Sequence, residues 1–305
     1  MKGYEELRQG AAGVDLSARG RILAMGEDRK RLLHAMTTNH IEQLAPGQGA
    51  YAFFLTAQGR IIADAIVLCR EQDLLLLLEG ETREALYQHL DRYIIADDVT
   101  LRDASAELSE AGIEGPGARE WLQSQGAEAP EEPYHWKDWN GALVVRASVT
   151  GGAGYRVIAP AAQCETLLAA LPQADSEALE AVRLEHGQPR YGADITNKHL
   201  VHETGLLHAV SFNKGCYLGQ EIVERVRSRG QVNRLLAALR IHLNTAPAAG
   251  SEIMAGEKAA GEITSAAWSP AEGCVRALGY VRAEALRGGS ELTVSGGRAE
   301  VVKHA

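Results

Sequence analysis

The strongest constraint on the fold is a change in the sequence pattern near residue 231. Before this point, helix-like and strand-like segments alternate, whereas beyond it the chain shows only short strand-like segments separated by Pro, Gly and Ser residues. Those segments are 235–243, 261–267, 274–281 and 291–302. Short strands broken by turn residues are typical of small antiparallel barrels and sandwiches. We therefore predict a C-terminal β-barrel domain over residues 231–305.

The region before residue 231 combines hairpins with amphipathic helices. Residues 51–56 and 61–69 read as two strands joined by a turn at Gln58-Gly59. Leu86, Leu90 and Ile94 recur at four-residue steps and predict one buried stripe on a helix. The further predicted helices are 28–39, 118–124, 161–170, 177–186 and 220–226, and the further strands 14–25, 74–78, 142–149 and 155–159. This pattern predicts an α+β fold with a mixed, mainly antiparallel sheet and helices on one face.

Length and composition limit the class of protein. The 305 residues exceed the size at which one hydrophobic core keeps growing, so we expect two or three domains. A net charge of −9 argues against a nucleic-acid-binding protein, because phosphate binding needs a basic surface. The longest aliphatic run, 74–78, is far shorter than the roughly 20 residues that span a bilayer, and the N-terminus resembles neither a signal nor a transit peptide. We therefore expect a cytoplasmic protein with no membrane partner.

The most informative local motif is the octet Lys214-Gly215-Cys216-Tyr217-Leu218-Gly219-Gln220-Glu221. A nearby cation and the free N–H groups at a helix start both favour the thiolate form of a cysteine. Lys214 lies two residues before Cys216, and the predicted helix begins at Gln220. The motif favours a presented, functional thiol at Cys216 with Lys214 as its activator. The alternative is a small cysteine buried in the core, and the chemistry of the thiol stays open.

The other cysteines and the histidines carry weaker signals. No two cysteines form a C-x-x-C pair, so the sequence predicts neither a local zinc site nor disulfides. Cys69 and Cys164 read as core positions, and nothing beside Cys274 suggests activation. The three closely placed histidines lack a completing carboxylate or thiolate, so we predict no metal site; they are His199, His202 and His208.

The stretch from Lys214 to Arg240 is basic within an acidic protein. It holds six cations against Glu221 and Glu224, which gives a local balance of +4. Such a patch suits a small anionic ligand or partner, and the alternative is a solvated surface balanced by acids elsewhere.

Several short motifs follow one another along nearly the whole chain. They are Val14-Asp15-Leu16-Ser17, Thr38-Asn39 before Pro46-Gly47-Gln48, Gln58-Gly59-Arg60-Ile61 before Asp64, Gly152-Ala153-Gly154-Tyr155, Arg183-Leu184-Glu185, Tyr191-Gly192-Ala193-Asp194, and Gly261-Glu262-Ile263-Thr264-Ser265 before Ser269-Pro270. In this order they resemble the folate-binding superfamily of the glycine cleavage T-proteins and the YgfZ proteins. The octet around Cys216 is similar to the YgfZ signature and differs from the cysteine-free segment of T-proteins.

The resemblance implies three domains arranged as a cloverleaf around a central folate cavity. Residues 1–230 would form the folate-binding region, with one ferredoxin-like α/β module from 1–47 and 141–230 and another from 48–140, followed by the barrel over 231–305. It implies tetrahydrofolate or a folate derivative as the cofactor, with the Glu185 carboxylate as the pterin ligand. The further candidate cofactor-binding residues are Asp64, Tyr191, Arg225 and Arg227, the two arginines for the anionic glutamyl tail.

One departure from the T-protein pattern bears on activity. T-proteins carry two consecutive acids after the hairpin turn, and the first is credited with assisting attack by the folate nitrogen, whereas this chain has Ala63 followed by Asp64. An alanine cannot give this assistance, and adjacent strand residues point to opposite faces. We therefore expect little or no glycine-cleavage activity.

Three functions follow from these observations. The leading hypothesis is a YgfZ-like tetrahydrofolate-binding accessory protein for iron–sulfur cluster assembly or repair, and whether it turns over a substrate stays open. It would use the Cys216 thiol, and its partners would be client iron–sulfur proteins or assembly factors. The first alternative is a folate-dependent aminomethyltransferase of the T-protein type. The second is a non-catalytic structural binding module.

Overall fold

The computed structural model describes residues 1–230 and 232–304, in two five-stranded sheets and a closed six-stranded barrel. The helices are α1 (Tyr4–Gln9), α2 (Arg29–Met36), α3 (Arg83–Asp91), α4 (Ala118–Ser124), α5 (Ala161–Ala169), α6 (Ser176–Glu185), α7 (Val201–Thr204), α8 (Gln220–Arg229) and α9 (Ala283–Arg287). The strands are β1 (Ala12–Asp15), β2 (Gly20–Met25), β3 (Gly49–Leu55), β4 (Ile61–Cys69), β5 (Asp73–Leu78), β6 (Thr100–Asp103), β7 (Ser109–Glu114), β8 (Trp136–Trp139), β9 (Ala142–Val145), β10 (Gly154–Ala159), β11 (Arg234–Ile241), β12 (Glu252–Ala255), β13 (Lys258–Ser269), β14 (Cys274–Arg282), β15 (Leu292–Val294) and β16 (Gly297–His304).

The two sheets pack against each other and carry helices on their outer faces. The first sheet has the order β1-β7-β10-β9-β8, and the second has the order β3-β4-β5-β2-β6. In β4, Ala63, Ala65 and Val67 contact the core that includes residues of α2 and α3. Ile66 and Leu68, on the opposite face, pack against β9 and β10 of the first sheet. The alternation of side chains along one strand therefore builds both the outer and the inner layer.

The predicted α+β architecture with a C-terminal antiparallel barrel is confirmed. The barrel has the strand order β11-β14-β13-β12-β15-β16. The predicted hairpin is also confirmed, with β3 and β4 paired antiparallel around the Gln58-Gly59 turn. The sequence pattern missed the short elements α1, α7, α9, β6, β7, β8 and β12, and it read the separate strands β1 and β2 as one strand over 14–25. Gln231, at the predicted boundary, lies outside the described residues.

Two strands belong to a different sheet from the one that the predicted module boundaries imply. β2, at residues 20–25, pairs with β5 and β6 in the second sheet, although residues 1–47 were assigned to the first module. β7, at residues 109–114, pairs with β1 and β10 in the first sheet, although residues 48–140 were assigned to the second module. Strand pairing depends on contacts distant in sequence, which the motif order did not reveal. The domain division itself stays a prediction.

The three closely placed histidines have different neighbours. His199 stacks on Tyr280 of the barrel, His202 lies beside Phe212, and His208 stacks on Tyr51. Across residues 1–230 and 232–304, no three His, Cys, Asp or Glu side chains are grouped as metal ligands. Within the same residues, no helix has the length and apolar character needed to cross a membrane.

A buried ion pair joins α6 to the barrel. Asp194 has no exposed surface, and its Oδ2 accepts hydrogen bonds from Arg183 Nη1 at 2.7 Å and from the Arg190 backbone N–H at 3.0 Å. Its Oδ1 accepts hydrogen bonds from the hydroxyls of Thr264 and Ser265 in β13, at 2.5 and 2.7 Å. A buried carboxylate is tolerated only when such donors surround it. The four donors therefore fix the barrel against α6.

The variant Arg183→Met should destabilise the protein strongly, because it leaves the buried Asp194 charge without its cation. We expect a loss of about 3–5 kcal/mol in the free energy of unfolding, measured by urea denaturation. The exposed Arg282→Met variant is the control and should cost about 1 kcal/mol or less. The double variant Arg183→Met/Asp194→Asn should recover part of the loss. Equal effects of Arg183→Met and Arg282→Met would contradict this role of the pair.

A second contact between the barrel and the preceding segment depends on a neutral histidine. The His199 ring stacks on Tyr280 with a centroid distance of 4.1 Å and an interplanar angle of 8°, and its Nδ1 accepts a hydrogen bond from the Thr196 backbone N–H at 3.0 Å. The His199 side chain is 6% exposed. Burial, assisted by the nearby Arg234 cation, lowers the pKa of His199 to about 4.

The stability from neutral His199 should disappear in mild acid. Because the folded pKa lies below the unfolded value of about 6.5, the unfolded chain takes up the proton first as the pH falls. Neutral His199 contributes at most about 3 kcal/mol to the free energy of unfolding. This contribution is complete above about pH 6.5 and is lost as the pH approaches 4. Thermal unfolding of wild type and His199→Gln across this range should show the smaller pH dependence in the variant. The exposed His242→Gln variant should follow wild type, and parallel curves for all three proteins would refute the assignment.

Candidate functional site

A cavity opens where the apolar contact between the two sheets ends. It consists of two adjoining pockets with volumes of about 280 and 60 Å³. The side chains that line both pockets come from the two sheets and from the segment after α6; they are Tyr51, Ile66, Ser148, Arg156 and Gln188. A cavity between two sheets, lined by aromatic and charged groups, is the kind of site that binds a small polar molecule.

Aromatic rings form one wall of the larger pocket. The ring of Tyr51 in β3 stacks with Tyr134 at 6.1 Å and with His208 at 5.6 Å, with interplanar angles of 21° and 24°. Asn39, which follows α2, holds this wall from behind, since its Nδ2 donates to the backbone carbonyls of Tyr51 and His208 at 3.0 and 3.1 Å. The near-parallel rings present flat surfaces suited to a planar ligand.

Asp64 lines the smaller pocket from β4. Its side chain is on the inner face of the sheet, it is 8% exposed, and its Oδ2 accepts a hydrogen bond from the Tyr51 hydroxyl at 2.6 Å. Burial raises the pKa of Asp64, as does the nearby Glu79, while the Tyr51 hydrogen bond and the Arg19 cation oppose the increase. The cavity therefore contains a carboxyl group with a fixed orientation and an increased tendency to hold a proton.

The position of Ala63 corrects the argument made against transfer activity. Ala63 lies on the opposite face of β4 from Asp64, and its side chain packs in the core with Ile22 and Phe54. A carboxylate at position 63 would point into that core and away from the cavity. Because side chains alternate along a strand, Asp64 is the residue that presents its carboxyl to a ligand. The alanine therefore does not deprive the cavity of an acid.

Charged residues extend from Asp64 along the facing surfaces of the two sheets. Arg19 pairs with Glu79, with 2.7 Å between Nη1 and Oε1. Arg156 in β10 lies 3.3 Å from Glu110 in β7, measured from Nη1 to Oε1. All four side chains are largely or completely buried, so each charge relies on its neighbours rather than on water.

Tyr191 lies beside Asp64. Both residues line the smaller pocket, and the Tyr191 hydroxyl donates a weak hydrogen bond of 3.4 Å to the Ile61 carbonyl. Burial raises the pKa of Tyr191 to about 12, so the hydroxyl is protonated at neutral pH. The structure therefore places Asp64 and Tyr191 together, and their roles in binding stay predictions.

Glu185 lies elsewhere, at the end of α6 between α1 and the barrel. Its Oε1 accepts hydrogen bonds from the Tyr4 hydroxyl and from Ser269 Oγ, the latter at 2.6 Å, and its Oε2 pairs with Arg8 Nε at 3.1 Å. Among the described residues it is not one that lines either pocket. The carboxylate is thus already satisfied by the protein, and its position does not support the implied role as the pterin ligand.

The octet forms a loop that packs against the end of α2. Cys216 is exposed, as predicted, while Cys69, Cys164 and Cys274 are buried. The Lys214 ammonium donates hydrogen bonds to the backbone carbonyls of His34, Thr37 and Asn39. These three bonds use all the N–H groups of the ammonium, so Lys214 anchors the loop and has no donor left for the thiol. Burial lowers the pKa of Lys214 to about 7.

Arg225 and Arg227 lie on the outer surface of α8. They form loose ion pairs with Glu221 and Glu224, each with an N–O distance of 3.5 Å. The guanidinium of Arg227 also lies over the Phe212 ring at 4.5 Å. Neither arginine is among the described residues that line the cavity, so the structure does not bring these candidates to Asp64.

Sequence reasoning missed the arginines and several of the aromatic groups of the cavity. These are Arg19, Tyr134, Arg146, Arg156 and His208. Arg156 did give a signal, because it is a charged residue within the apolar strand Gly154–Ala159. Tyr134 gave none, since it lies between the predicted helix 118–124 and the predicted strand 142–149.

Comparisons with known proteins agree with this architecture. Residues 2–214 match the GCVT N-terminal domain, and residues 234–304 match the glycine cleavage T-protein C-terminal barrel domain. A chloroplastic putative transferase of Arabidopsis thaliana is 29% identical over 93% of this chain and 68% of its own length. An aminomethyltransferase of Rubrobacter xylanophilus is 27% identical over 95% of this chain and 81% of its own length.

A solved structure shows the same fold. The crystal structure of glycine cleavage system aminomethyltransferase T from Bartonella henselae superposes with a TM-score of 0.86, covering 98% of this chain and 87% of that chain at 20% identity. With a cavity between two sheets, a closed C-terminal barrel and both matching domains, the chain belongs to the glycine cleavage T-protein (GCVT) family.

Proposed function

We propose that the chain binds tetrahydrofolate in the cavity and acts in folate-dependent one-carbon transfer of the aminomethyltransferase type. The observation that carries this proposal is the Asp64 carboxyl, a buried acid that faces the cavity. Family membership supports it, because several relatives are named aminomethyltransferases. The aminomethyltransferase function is therefore preferred to the iron–sulfur accessory role, because the objection based on Ala63 no longer holds.

The residues of the cavity fit a folate. Tyr51, Tyr134 and His208 offer flat rings to a pterin or benzoyl group, and the Arg156 guanidinium lines both pockets without a hydrogen bond to the described residues. When bound, tetrahydrofolate supplies the nitrogen nucleophile that accepts the one-carbon unit. The site thus combines stacking surfaces, a cation and an acid, which are the groups that this ligand requires.

Asp64 is the residue suited to proton handling. The hydrogen bond from Tyr51 fixes the carboxyl, and burial raises its pKa, so that it exchanges a proton closer to neutral pH than a solvated aspartate does. A positioned acid or base of this kind contributes about 10²–10⁴-fold to a reaction rate. Tyr51 also has a strongly raised pKa because of burial and Asp64, so the shared proton stays on the tyrosine when Asp64 is ionised.

The variant Asp64→Asn should keep tetrahydrofolate binding and lose transfer. Asn retains the shape and can accept the Tyr51 hydrogen bond, but it cannot exchange a proton. We expect the rate of methylene-tetrahydrofolate formation from an aminomethylated lipoyl carrier to fall by about 10² or more, with the dissociation constant changed by less than about tenfold. In wild type, the rate should fall in acid at a pH above the usual aspartate range, because the raised pKa protonates Asp64 earlier.

The matched control is Glu165→Gln, which removes an exposed carboxylate on α5 and should change neither quantity. The double variant Arg225→Gln/Arg227→Gln tests the assignment of these arginines to the glutamyl tail. Because both lie on the outer surface of α8, we expect unchanged tetrahydrofolate binding. Failure of the wild-type protein to bind tetrahydrofolate would overturn the proposal. Tight binding without any turnover would reject the transferase part of it.

One observation favours a second candidate function, the YgfZ-like accessory role in iron–sulfur cluster assembly or repair. Cys216 is the exposed cysteine among the four, and the three Lys214 hydrogen bonds hold its loop in place. A fixed, accessible thiol is the group that this role requires, with client iron–sulfur proteins or assembly factors as the partners. One cysteine does not by itself hold a cluster.

If the accessory role is correct, Cys216→Ser should lower the activity of iron–sulfur enzymes in cells that lack the native protein, without changing tetrahydrofolate binding in vitro. Cys274→Ser, which changes a buried thiol in the barrel, is the control and should complement fully. Normal enzyme activities with Cys216→Ser would eliminate this candidate. They would leave the transferase proposal unaffected, because Asp64 and Cys216 are tested by separate measurements.

A further inference from the structure

Arg156 is a buried cation whose hydrogen-bonding capacity is unused. It projects from the centre of β10 toward the second sheet, lines both pockets, and is 6% exposed. Its Nε and Nη1 atoms are inaccessible to water and have no hydrogen-bond partner within the described part of the chain. A guanidinium has five N–H donors, and leaving buried donors unpaired costs about 1–3 kcal/mol each. Such an arrangement is stable only if something else offsets the cost.

The neighbouring acids compensate the charge of Arg156 only in part. Glu110 lies 3.3 Å from Nη1, but its geometry gives no hydrogen bond, and both of its own carboxylate oxygens are also unpartnered among the described residues. Glu110 must also face Arg19, at 3.8 Å. Glu79 and Glu114 contribute at longer range, and Arg19 repels the guanidinium. Burial lowers the pKa of Arg156, and the nearby Arg19 cation lowers it further.

The neighbouring arginines of the cavity differ from Arg156. Arg19 directs Nη1 to Glu79 at 2.7 Å, and Arg146 donates to the Gly154 carbonyl at 3.0 Å while its guanidinium lies over the Tyr155 ring. Arg190 donates a long hydrogen bond of 3.4 Å to the Tyr191 carbonyl. Each has a partner in the protein. Arg156 lines both pockets, has Glu110 as its ion-pair neighbour, and is the cavity-lining guanidinium that forms no hydrogen bond within the described residues.

We propose that Arg156 is the anion-binding residue of the cavity and that it selects ligands carrying a carboxylate. The inference rests on the proposed function, and within it assigns the acidic part of the ligand to β10 and not to the exposed arginines of α8. The part of the guanidinium that reaches the cavity forms charge-assisted hydrogen bonds to the carboxylate, and these add to the incomplete compensation by Glu110. This ligand carboxylate belongs either to the glutamyl tail of a folate or to a separate small acid bound beside the pterin.

Calorimetric titrations of the full chain separate these sources. Wild type and Arg156→Gln are compared with four ligands: tetrahydrofolate, p-aminobenzoylglutamate, 6-methyltetrahydropterin, which has no carboxylate, and formate. We expect Arg156→Gln to weaken tetrahydrofolate by about 10- to 100-fold and to leave the pterin unchanged. Weaker p-aminobenzoylglutamate binding assigns the glutamyl tail, whereas weaker formate binding alone assigns a separate acid.

A second variant, Glu110→Gln, should change the affinity for carboxylates in the opposite direction. Glu110→Gln removes the countercharge beside Arg156, so carboxylate binding should tighten by about threefold or more. A purely structural role of the Arg156–Glu110 pair predicts that both variants weaken binding, together with a lower unfolding midpoint. Arg156→Lys, which keeps the charge and loses the fork of donors, should bind carboxylates with intermediate affinity. Arg119→Gln, on the outer surface of α4, is the control and should match wild type.

The results distinguish a failure of the Arg156 role from a failure of the proposed function. Equal weakening of the pterin and the carboxylate ligands by Arg156→Gln, or weaker carboxylate binding in Glu110→Gln, would overturn the role of Arg156 while leaving folate binding in place. If wild type binds neither tetrahydrofolate nor the pterin, the proposed function fails. In that case formate binding that depends on Arg156 still supports the anion site, and its absence overturns it.

Discussion

The buried Asp194 carboxylate is the point on which the arrangement of the domains depends. A carboxylate without water needs donors on both oxygens, and here they come from α6, from the segment that follows α6 and from β13. Arg183 also donates to the Gln188 carbonyl, so the same pair holds the segment that contributes Gln188 and Tyr191 to the cavity. The barrel and the cavity wall are therefore positioned by one set of charges.

The cavity exists because the inner faces of the two sheets are not apolar along their whole length. Leucine and isoleucine side chains fill most of the space between the sheets, but β7 and β10 place Glu110 and Arg156 where the second sheet places Asp64. Charged groups cannot be packed as closely as aliphatic ones without losing hydrogen bonds. The remaining space is the cavity, and its acid and its cation come from different sheets.

Local sequence patterns predicted the parts of the fold that local interactions determine. The β3–β4 hairpin follows from alternation around Gln58-Gly59, and the barrel follows from strands separated by turn residues. The site was harder to predict, because Arg19, Asp64 and Arg156 are brought together by pairing between distant strands. Two site arguments changed for the same reason. The sequence shows that Ala63 and Asp64 face opposite sides of the strand but not that the Asp64 side lines the cavity, and it places Lys214 near the thiol although the ammonium bonds to carbonyls at the end of α2.

Asn39 connects two parts of the molecule that have separate proposed functions. Its side chain supports the carbonyls of Tyr51 and His208 behind the aromatic wall, and its own carbonyl accepts a hydrogen bond from Lys214 at 2.8 Å. The aromatic wall and the Cys216 loop are thus hydrogen-bonded to one shared residue. The two candidate functions are therefore not structurally independent, because the residue that supports the wall also anchors the loop of the exposed thiol.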